Sequence, residues 1–322
     1  MASLSIPVLA QKLQTEADAY LFLEGLRWGN QPVCPHCGSV RRPYFLKPRN
    51  GTARKTRTGS ESQRRVWKCA DCRKQFSVLT GTIFHGSKIP VRTWLFVVFE
   101  MCASKNGVAG REIERKYNLD KKTAWFMLHR IREAMRREPM AGLLSGRVVA
   151  DETWIGGKPS NRHGHKRGKG GQGVTDKQPV MALVCHETGE VHAESIPDVT
   201  GATLGRVLRE RVAVADTHLQ TDSSHGYSKL GAEFASHETV DHYSGEYARG
   251  HVSTNPAENF FSQLKRSIDG THHHVSRAHL DRYLGEFSFR YSTRKETDTE
   301  RMMRLTRQVG GRRLTYRTPA SD

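Results

Sequence analysis

The stretch His251-Val-Ser-Thr-Asn-Pro-Ala-Glu-Asn-Phe-Phe-Ser-Gln-Leu-Lys-Arg-Ser-Ile268 decides how the second half of this chain is interpreted. After Pro256, apolar residues recur at intervals of three and four, which predicts a helix with one apolar face. Asn255 suits the N-cap of that helix, and Pro256 suits its first turn. Glu258 and Lys265 are seven residues apart, so they project from the same side of the helix, two turns from each other. Such a pair can serve a metal-and-phosphate site, or it can be an ordinary solvated ion-pair face.

Composition limits the partners that this protein can have. The chain has 322 residues and a formal net charge of +18, which favours a polyanionic partner such as DNA, RNA or an anionic membrane surface. No apolar run reaches the roughly 18 residues that a membrane span needs, and residues 1–7 lack the build of a signal peptide. Nucleic acid is therefore the expected partner, no membrane partner is expected, and the expected compartment is the cytoplasm.

Two cysteine pairs, Cys34-Pro-His-Cys37 and Cys69-Ala-Asp-Cys72, predict a structural zinc site. Each pair offers two thiolates, and four thiolates complete the tetrahedral shell of a closed Zn²⁺ site. His36 lies inside the first pair, but the four cysteines already fill that shell. Alternating residues around the second pair predict short ribbon strands, so residues 30–80 are expected to form a zinc ribbon. Redox use is the alternative, although it would more naturally follow a single pair near a βαβ pattern.

A run of basic residues covers the same region, with twelve lysines and arginines between residues 41 and 74. Such a run is usually a solvated face. On a small module in so basic a chain, it favours contact with DNA phosphates instead. Arg64 and Arg65, which precede the second cysteine pair, are the candidate contact residues.

The segment after the ribbon predicts a helix-turn-helix. Residues 109–117 form a short predicted helix, residues 118 and 119 interrupt it, and Asp120 caps a second helix that runs to about residue 137. Two helices joined by a short turn are typical of a motif whose second helix reads DNA. An ordinary helical hairpin packed in the core is the alternative. The candidate DNA-binding residues open the second helix: Lys121, Lys122 and Thr123.

Three acidic residues follow one another along the rest of the chain. Asp151 ends an apolar strand-like run, Asp222 ends a later one, and Glu258 lies on the predicted helix. A carboxylate at the end of an apolar strand is costly unless it binds something. Strand alternation sends Glu152 to the opposite face from Asp151, so the two cannot hold one ion. Two strand-end aspartates and a helix glutamate can converge at the edge of a mixed sheet and hold two Mg²⁺ or Mn²⁺ ions.

The three acidic residues follow the order strand-Asp, strand-Asp, helix-Glu, 35 residues separate Asp222 from Glu258, and a lysine follows two turns later. In this pattern the chain resembles a DDE transposase with an RNase H-like fold. The chain resembles, more narrowly, bacterial insertion-sequence transposases with an N-terminal zinc ribbon, over residues 10–295. Four segments carry this narrower resemblance: Asp151-Glu-Thr-Trp-Ile-Gly-Gly-Lys158, Thr254-Asn-Pro-Ala-Glu-Asn-Phe-Phe-Ser-Gln-Leu-Lys-Arg266, Gly270-Thr-His-His-His-Val-Ser276 and Phe287-Ser-Phe-Arg-Tyr291.

The resemblance implies the roles of individual residues. Asp151, Asp222 and Glu258 would hold a pair of Mg²⁺ or Mn²⁺ ions, and Lys265 would contact DNA phosphate or the developing charge. In the resembled group the third acidic position varies between Glu and Asn, so Asn255 is the alternative third ligand. The partner would be double-stranded DNA, as terminal inverted repeats and as target, bound by a homodimer or higher oligomer at the bacterial nucleoid.

We therefore expect an α+β multidomain protein with a zinc ribbon, a helix-turn-helix and an RNase H-like mixed β-sheet flanked by helices. Its expected function is DNA transposition by two-metal strand cleavage and strand transfer. The alternatives are a zinc-containing DNA-binding regulator without catalysis and an RNase H-like nuclease without strand transfer. The expected regions are an N-terminal helix (1–29), the zinc ribbon (30–80), the helical DNA-binding region (81–142), the catalytic domain (143–295) and a disordered basic tail (296–322).

Overall fold

The computed structural model describes these parts of the chain: residues 3–47, 55, 59, 61–136, 142–157, 177–241, 244–246 and 248–315. The chain divides into two compact units, the first from residues 1–104, 110–134 and 296–322, the second from residues 105–109 and 135–295. The ribbon and most of the helical region belong to the same unit, and the domain boundary drawn between them stays a prediction. Within the described ranges, none of the helices combines the length and the apolar character that a membrane crossing requires.

Helices dominate the first unit: α1 (Ile6–Lys12), α2 (Glu16–Trp28), α3 (Val91–Ala103), α4 (Gly110–Tyr117), α5 (Lys121–Met135) and, at the end of the chain, α9 (Asp298–Arg307). The single helix predicted near the N-terminus is in fact two, α1 and α2. The reason is a capping box: Thr15 and Asp18 satisfy each other's backbone N–H groups and start α2 afresh.

The ribbon is a three-stranded antiparallel sheet in the order β1 (Pro43–Phe45), β2 (Trp67–Cys69) and β3 (Gln75–Phe76). Trp67 in the central strand stands opposite Phe45 on one side and Phe76 on the other. Trp28 of α2 packs edge-on against Trp67 and Phe76, with ring centroids 6.2 Å and 5.8 Å away. Aromatic side chains therefore join the ribbon to the helix that precedes it.

The end of the chain corrects one prediction. We expected residues 296–322 to form a disordered basic tail, but α9 packs against α2 and α3. Met302 and Leu305 are fully buried on one side of α9, while Arg304 and Arg307 are exposed on the other. Two of the arginines that suggested disorder, Arg304 and Arg307, thus belong to the outer face of an amphipathic helix. Residues 316–322 lie outside the described residues.

The second unit is built on a five-stranded mixed sheet. Its strands are β4 (Leu144–Ile155), β5 (Gln178–Cys185), β6 (Val191–Ser195), β7 (Val212–Asp222) and β8 (Ser236–Val240). Their order is β6-β5-β4-β7-β8, with β4, β7 and β8 parallel and β5 antiparallel to both of its neighbours. A small hairpin, β9 (Ala248–Arg249) and β10 (Val252–Ser253), follows. The helices of this unit are α6 (Gly201–Arg211), α7 (Asn255–Ser267) and α8 (Leu280–Ser292).

Two apolar clusters cover the two faces of this sheet. Val149 of β4 belongs to the cluster formed with α7 and α8, whereas Val148 and Ala150 belong to the cluster formed with α6. Alternation along β4 therefore directs Asp151 to the α7 face and Glu152 to the α6 face, as the strand period predicted. A mixed sheet flanked by helices, together with the ribbon, confirms the expected fold class.

Candidate metal centre and candidate active site

The four ribbon cysteines lie together, and their ligand atoms are all within 4.8 Å of one another: Cys34, Cys37, Cys69 and Cys72. The Sγ atoms of Cys34 and Cys72 are 3.7 Å apart, as are those of Cys37 and Cys69. A tetrahedron with Zn–S bonds of about 2.3 Å has edges of about 3.8 Å, so the spacing fits one Zn²⁺. The exposed His36 instead has its Nε2 atom 3.3 Å from the carbonyl oxygen of Gln75.

Arg65 has a structural partner that the sequence did not reveal. Its Nε donates to Glu24 of α2 at 2.8 Å, and Trp67 Nε1 donates to the other oxygen of the same carboxylate at 2.9 Å. Glu24 is buried, and the Arg65 guanidinium stacks over Phe45 at 4.5 Å. Arg65 therefore holds the ribbon to α2, while its neighbour Arg64 is exposed. An acidic residue on the apolar side of α2 was the signal for this contact.

The start of α5 is accessible to a partner. Asp120 caps the helix as predicted, because its Oδ2 accepts from the backbone N–H groups of Lys122 and Thr123 at 3.0 Å and 3.3 Å. Lys121 and Lys122 are exposed and Thr123 is half-buried, whereas the helix is buried from Met127 onward. The accessible part of α5 is thus its first turn, the part of a recognition helix that contacts bases.

Asp151 and Asp222 lie on adjacent parallel strands. The register pairs Val149 with Gln220, so the two aspartates, two residues further along each strand, stand side by side. Gln220 bonds to the backbone of His251 and of Ser253 in the segment that leads into α7. Alternation then directs Asp222, like Asp151, to the α7 face.

Helix α7 brings Glu258 and Lys265 over the same face of the sheet. It starts at Asn255, and its N-cap is Thr254 rather than the predicted Asn255. The buried Thr254 hydroxyl donates to Glu258 Oε1 at 2.9 Å. Glu258 and Lys265 are both exposed. Among the described residues, the ribbon cysteines are the potential ligands close enough to one another for a metal ion, and the three carboxylates do not come that close.

Asn255 and Asn259 line a separate cleft of about 740 Å³, together with Arg147 and Arg294. Gln263 Nε2 also donates to Asn259 Oδ1 at 2.8 Å. Glu258 does not line this cleft. The two asparagines therefore occupy a different stripe of α7 from Glu258.

Glu152 follows Asp151 in β4, is half-buried and points to the α6 face of the sheet. Burial of its carboxyl group, reinforced by the charges of Asp151 and Asp222, raises the pKa of Glu152 to about 8. The Tyr227 hydroxyl donates to Glu152 Oε1. The alternation of β4 could have identified Glu152 as a residue of interest, because it directs this carboxyl group into an apolar cluster.

A zinc ribbon and a mixed sheet whose adjacent parallel strands carry Asp151 and Asp222 fit a nucleic-acid-processing enzyme of the transposase class. Residues 14–75 match the family model described as "Transposase zinc-ribbon domain", and residues 143–292 match the "ISXO2-like transposase domain". The chain belongs to the insertion-sequence transposases that combine these two domains.

The chain is also similar to individual known proteins. An "uncharacterized protein in transposable element ISH50" of Halobacterium salinarum is 28% identical over 285 residues, covering 86% of this chain and 90% of that protein. The catalytic core domain of BIV integrase is 15% identical, covers 44% of this chain and 81% of its own, and gives a TM-score of 0.30. A simian T-cell lymphotropic virus intasome is 13% identical, covers 55% and 63%, and gives a TM-score of 0.28. The family matches establish the class.

Proposed function

We propose that this transposase binds the ends of its insertion sequence and catalyses both strand cleavage and strand transfer with two divalent cations. The observation that carries the proposal is the side-by-side pair Asp151 and Asp222 on adjacent parallel strands, facing the helix that carries Glu258. Carboxylates are the ligands that Mg²⁺ and Mn²⁺ prefer in proteins. Membership of a transposase family supports the same reaction class.

The chain's own residues have distinct tasks in this proposal. Asp151, Asp222 and Glu258 hold the cations, which when bound activate the attacking oxygen and stabilise the leaving oxygen of a phosphodiester. Thr254 orients Glu258 through its hydroxyl hydrogen bond of 2.9 Å. Lys265 lies two turns further along α7 and is exposed, so its ammonium group can neutralise a DNA phosphate.

The first unit supplies DNA recognition. The first turn of α5 enters a DNA groove with Lys121, Lys122 and Thr123, and the exposed Arg64 contacts the backbone. The bound DNA is double-stranded, first the terminal inverted repeats and then the target. The protein acts as a homodimer or higher oligomer on this DNA, at the nucleoid in the cytoplasm.

Incubation of the zinc-loaded full chain with Mg²⁺ and a duplex of its element's terminal sequence tests the proposal. We expect both nicked and joined products. Asp222→Asn should abolish both products and leave end binding nearly intact, because it removes a charged ligand far in sequence from the DNA-reading residues. The amide oxygen of the variant can still accept the 3.1 Å hydrogen bond from Ser224 N–H.

Each other outcome points to a different protein. End binding without any metal-dependent product would indicate a DNA-binding regulator. Nicking without joining would indicate an RNase H-like nuclease that lacks strand transfer. Equal loss of binding and cleavage in Asp222→Asn would make Asp222 a folding residue.

The third ligand is tested by comparing Glu258→Gln with Asn255→Ala across a Mg²⁺ titration. We expect Glu258→Gln to lose joining at every Mg²⁺ concentration, because it removes one of the negative charges that hold the cations. Asn255→Ala should keep activity, since Asn255 lines the cleft with Arg147 rather than the sheet edge with Asp151. An active Glu258→Gln beside a folded but inactive Asn255→Ala would assign the third position to Asn255.

A further inference from the structure

The segments that follow the two aspartates meet on the opposite face of the sheet. Glu152, directly after Asp151, points to the α6 face, where Tyr227 is buried in the apolar cluster. The Tyr227 hydroxyl donates to Glu152 Oε1, a contact between residues 75 positions apart in the chain. This hydrogen bond links β4, at the residue after Asp151, to the turn that follows Asp222.

Backbone hydrogen bonds and close packing restrain that turn, residues 222–227. Asp222 Oδ1 accepts from Ser224 N–H at 3.1 Å, and Ser224 O accepts from Tyr227 N–H at 3.2 Å. Gly226 fits against α6 so closely that a Cβ atom there would approach Leu204 Cδ1 to 2.9 Å. These contacts connect Tyr227 to Asp222 through a short turn, so a change at the Tyr227 hydroxyl can alter the position of the aspartate.

We propose that the Tyr227–Glu152 hydrogen bond positions Asp151 and Asp222 for the divalent cations, which makes Tyr227 and Glu152 positioning residues of the active site. The proposal rests on the proposed function, since it assumes that the two aspartates hold metal. The bond connects the residue after Asp151 to the turn after Asp222, on the face of the sheet opposite the two aspartates. Ligands held in place before binding lose less conformational freedom when the cation arrives, so affinity is higher.

The chain offers a matched control for this contact. In the first unit, the hydroxyl of Tyr117 donates to Glu100 Oε1 at 2.6 Å. Both tyrosines thus donate to a glutamate, and a Tyr→Phe change removes the same hydroxyl in each case. Tyr227→Phe keeps the apolar packing of a ring that is only 1% exposed. A purely structural role predicts a loss of stability in both variants and no change in metal affinity in either.

Binding of Mn²⁺ alone to the zinc-loaded full chain, measured by electron paramagnetic resonance of the free ion, tests the proposal without any DNA substrate. We expect Tyr227→Phe to weaken Mn²⁺ binding about tenfold, at the lower end of the range for residues behind metal ligands. Glu152→Gln should bind nearly as the wild type does, because its amide oxygen accepts the same hydrogen bond. Tyr117→Phe should bind Mn²⁺ as the wild type does.

Wild-type affinity in a folded Tyr227→Phe would overturn the proposal. If Tyr227→Phe does not fold, Glu152→Leu removes the acceptor instead and carries the same expectation and the same overturning result. Asp222→Asn distinguishes failure of the proposed active site from failure of the positioning role alone. Equal Mn²⁺ binding by Asp222→Asn and the wild type would reject the proposed active site itself, whereas loss in Asp222→Asn with none in Tyr227→Phe would reject the positioning role alone.

Discussion

The ribbon and the mixed sheet each carry a candidate metal site, and the two sites are built in different ways. In the ribbon, each ligand pair comes from one Cys-x-x-Cys turn, and two short strands join the turns. In the sheet, Asp151, Asp222 and Glu258 come from two strands and a helix, so their spacing depends on strand register and on helix packing. The first site is defined by local turns, and the second by the whole fold of its unit.

This difference matches the role that we propose for the metal in each place. The ribbon strands are two or three residues long, and buried Cys34 and Cys69 form most of their core with Phe76. So small a core depends on the metal for its stability. The five-stranded sheet has two extensive apolar clusters of its own. Its carboxylates can therefore serve chemistry rather than folding.

The largest effect is expected for Cys69→Ser. Zinc binding in such modules contributes about 10–16 kcal/mol, most of it as folding free energy. The variant should lose about one zinc ion per chain and unfold residues near 30–80, while the second unit stays folded. Zinc content and hydrogen exchange measure these results. Cys185→Ser, at a buried cysteine of β5, should keep its zinc, and full zinc content in Cys69→Ser would contradict the four-cysteine site.

The sequence was sufficient for features that depend on spacing along the chain. The cysteine pairs, the cap at Asp120 and the acidic order from Asp151 to Glu258 all follow from local patterns. The contacts Arg65–Glu24 and Tyr227–Glu152 join residues 41 and 75 positions apart. Helix and strand periodicity place the two glutamates on apolar faces, but periodicity does not identify their partners. Helix α9 was not predicted, because its many arginines suggested disorder. The burial of Met302 and Leu305 depends on tertiary packing, which the sequence does not show.

A smaller effect separates two neighbouring arginines of the ribbon. Arg65→Gln should lower the free energy of unfolding of the first unit by about 2 kcal/mol, because the buried Glu24 loses a charged partner. Arg64→Gln should leave stability unchanged and lower the salt dependence of DNA binding by about one phosphate contact. Chemical denaturation and binding at several salt concentrations measure the two. Reversed effects would mean that Arg65 contacts the DNA and that Arg64 supports the ribbon.

A small effect on stability is expected at the carboxylate site. Asp222→Asn should change the free energy of unfolding of the second unit by less than about 1 kcal/mol, because the amide oxygen can keep the Ser224 hydrogen bond. A loss as large as that of Cys69→Ser, measured by denaturation, would mean that both sites serve folding. The contrast between the two sites would then disappear.

Anomalous scattering from Mn²⁺, in crystals of the full chain bound to its terminal DNA, tests directly whether the three carboxylates hold the divalent cations. We expect manganese peaks bounded by Asp151, Asp222 and Glu258, with metal–oxygen distances of about 2.0–2.6 Å. Zinc should scatter separately from the four ribbon cysteines. Manganese bound in the cleft of Asn255 and Arg147, with no peak beside the two aspartates, would contradict it.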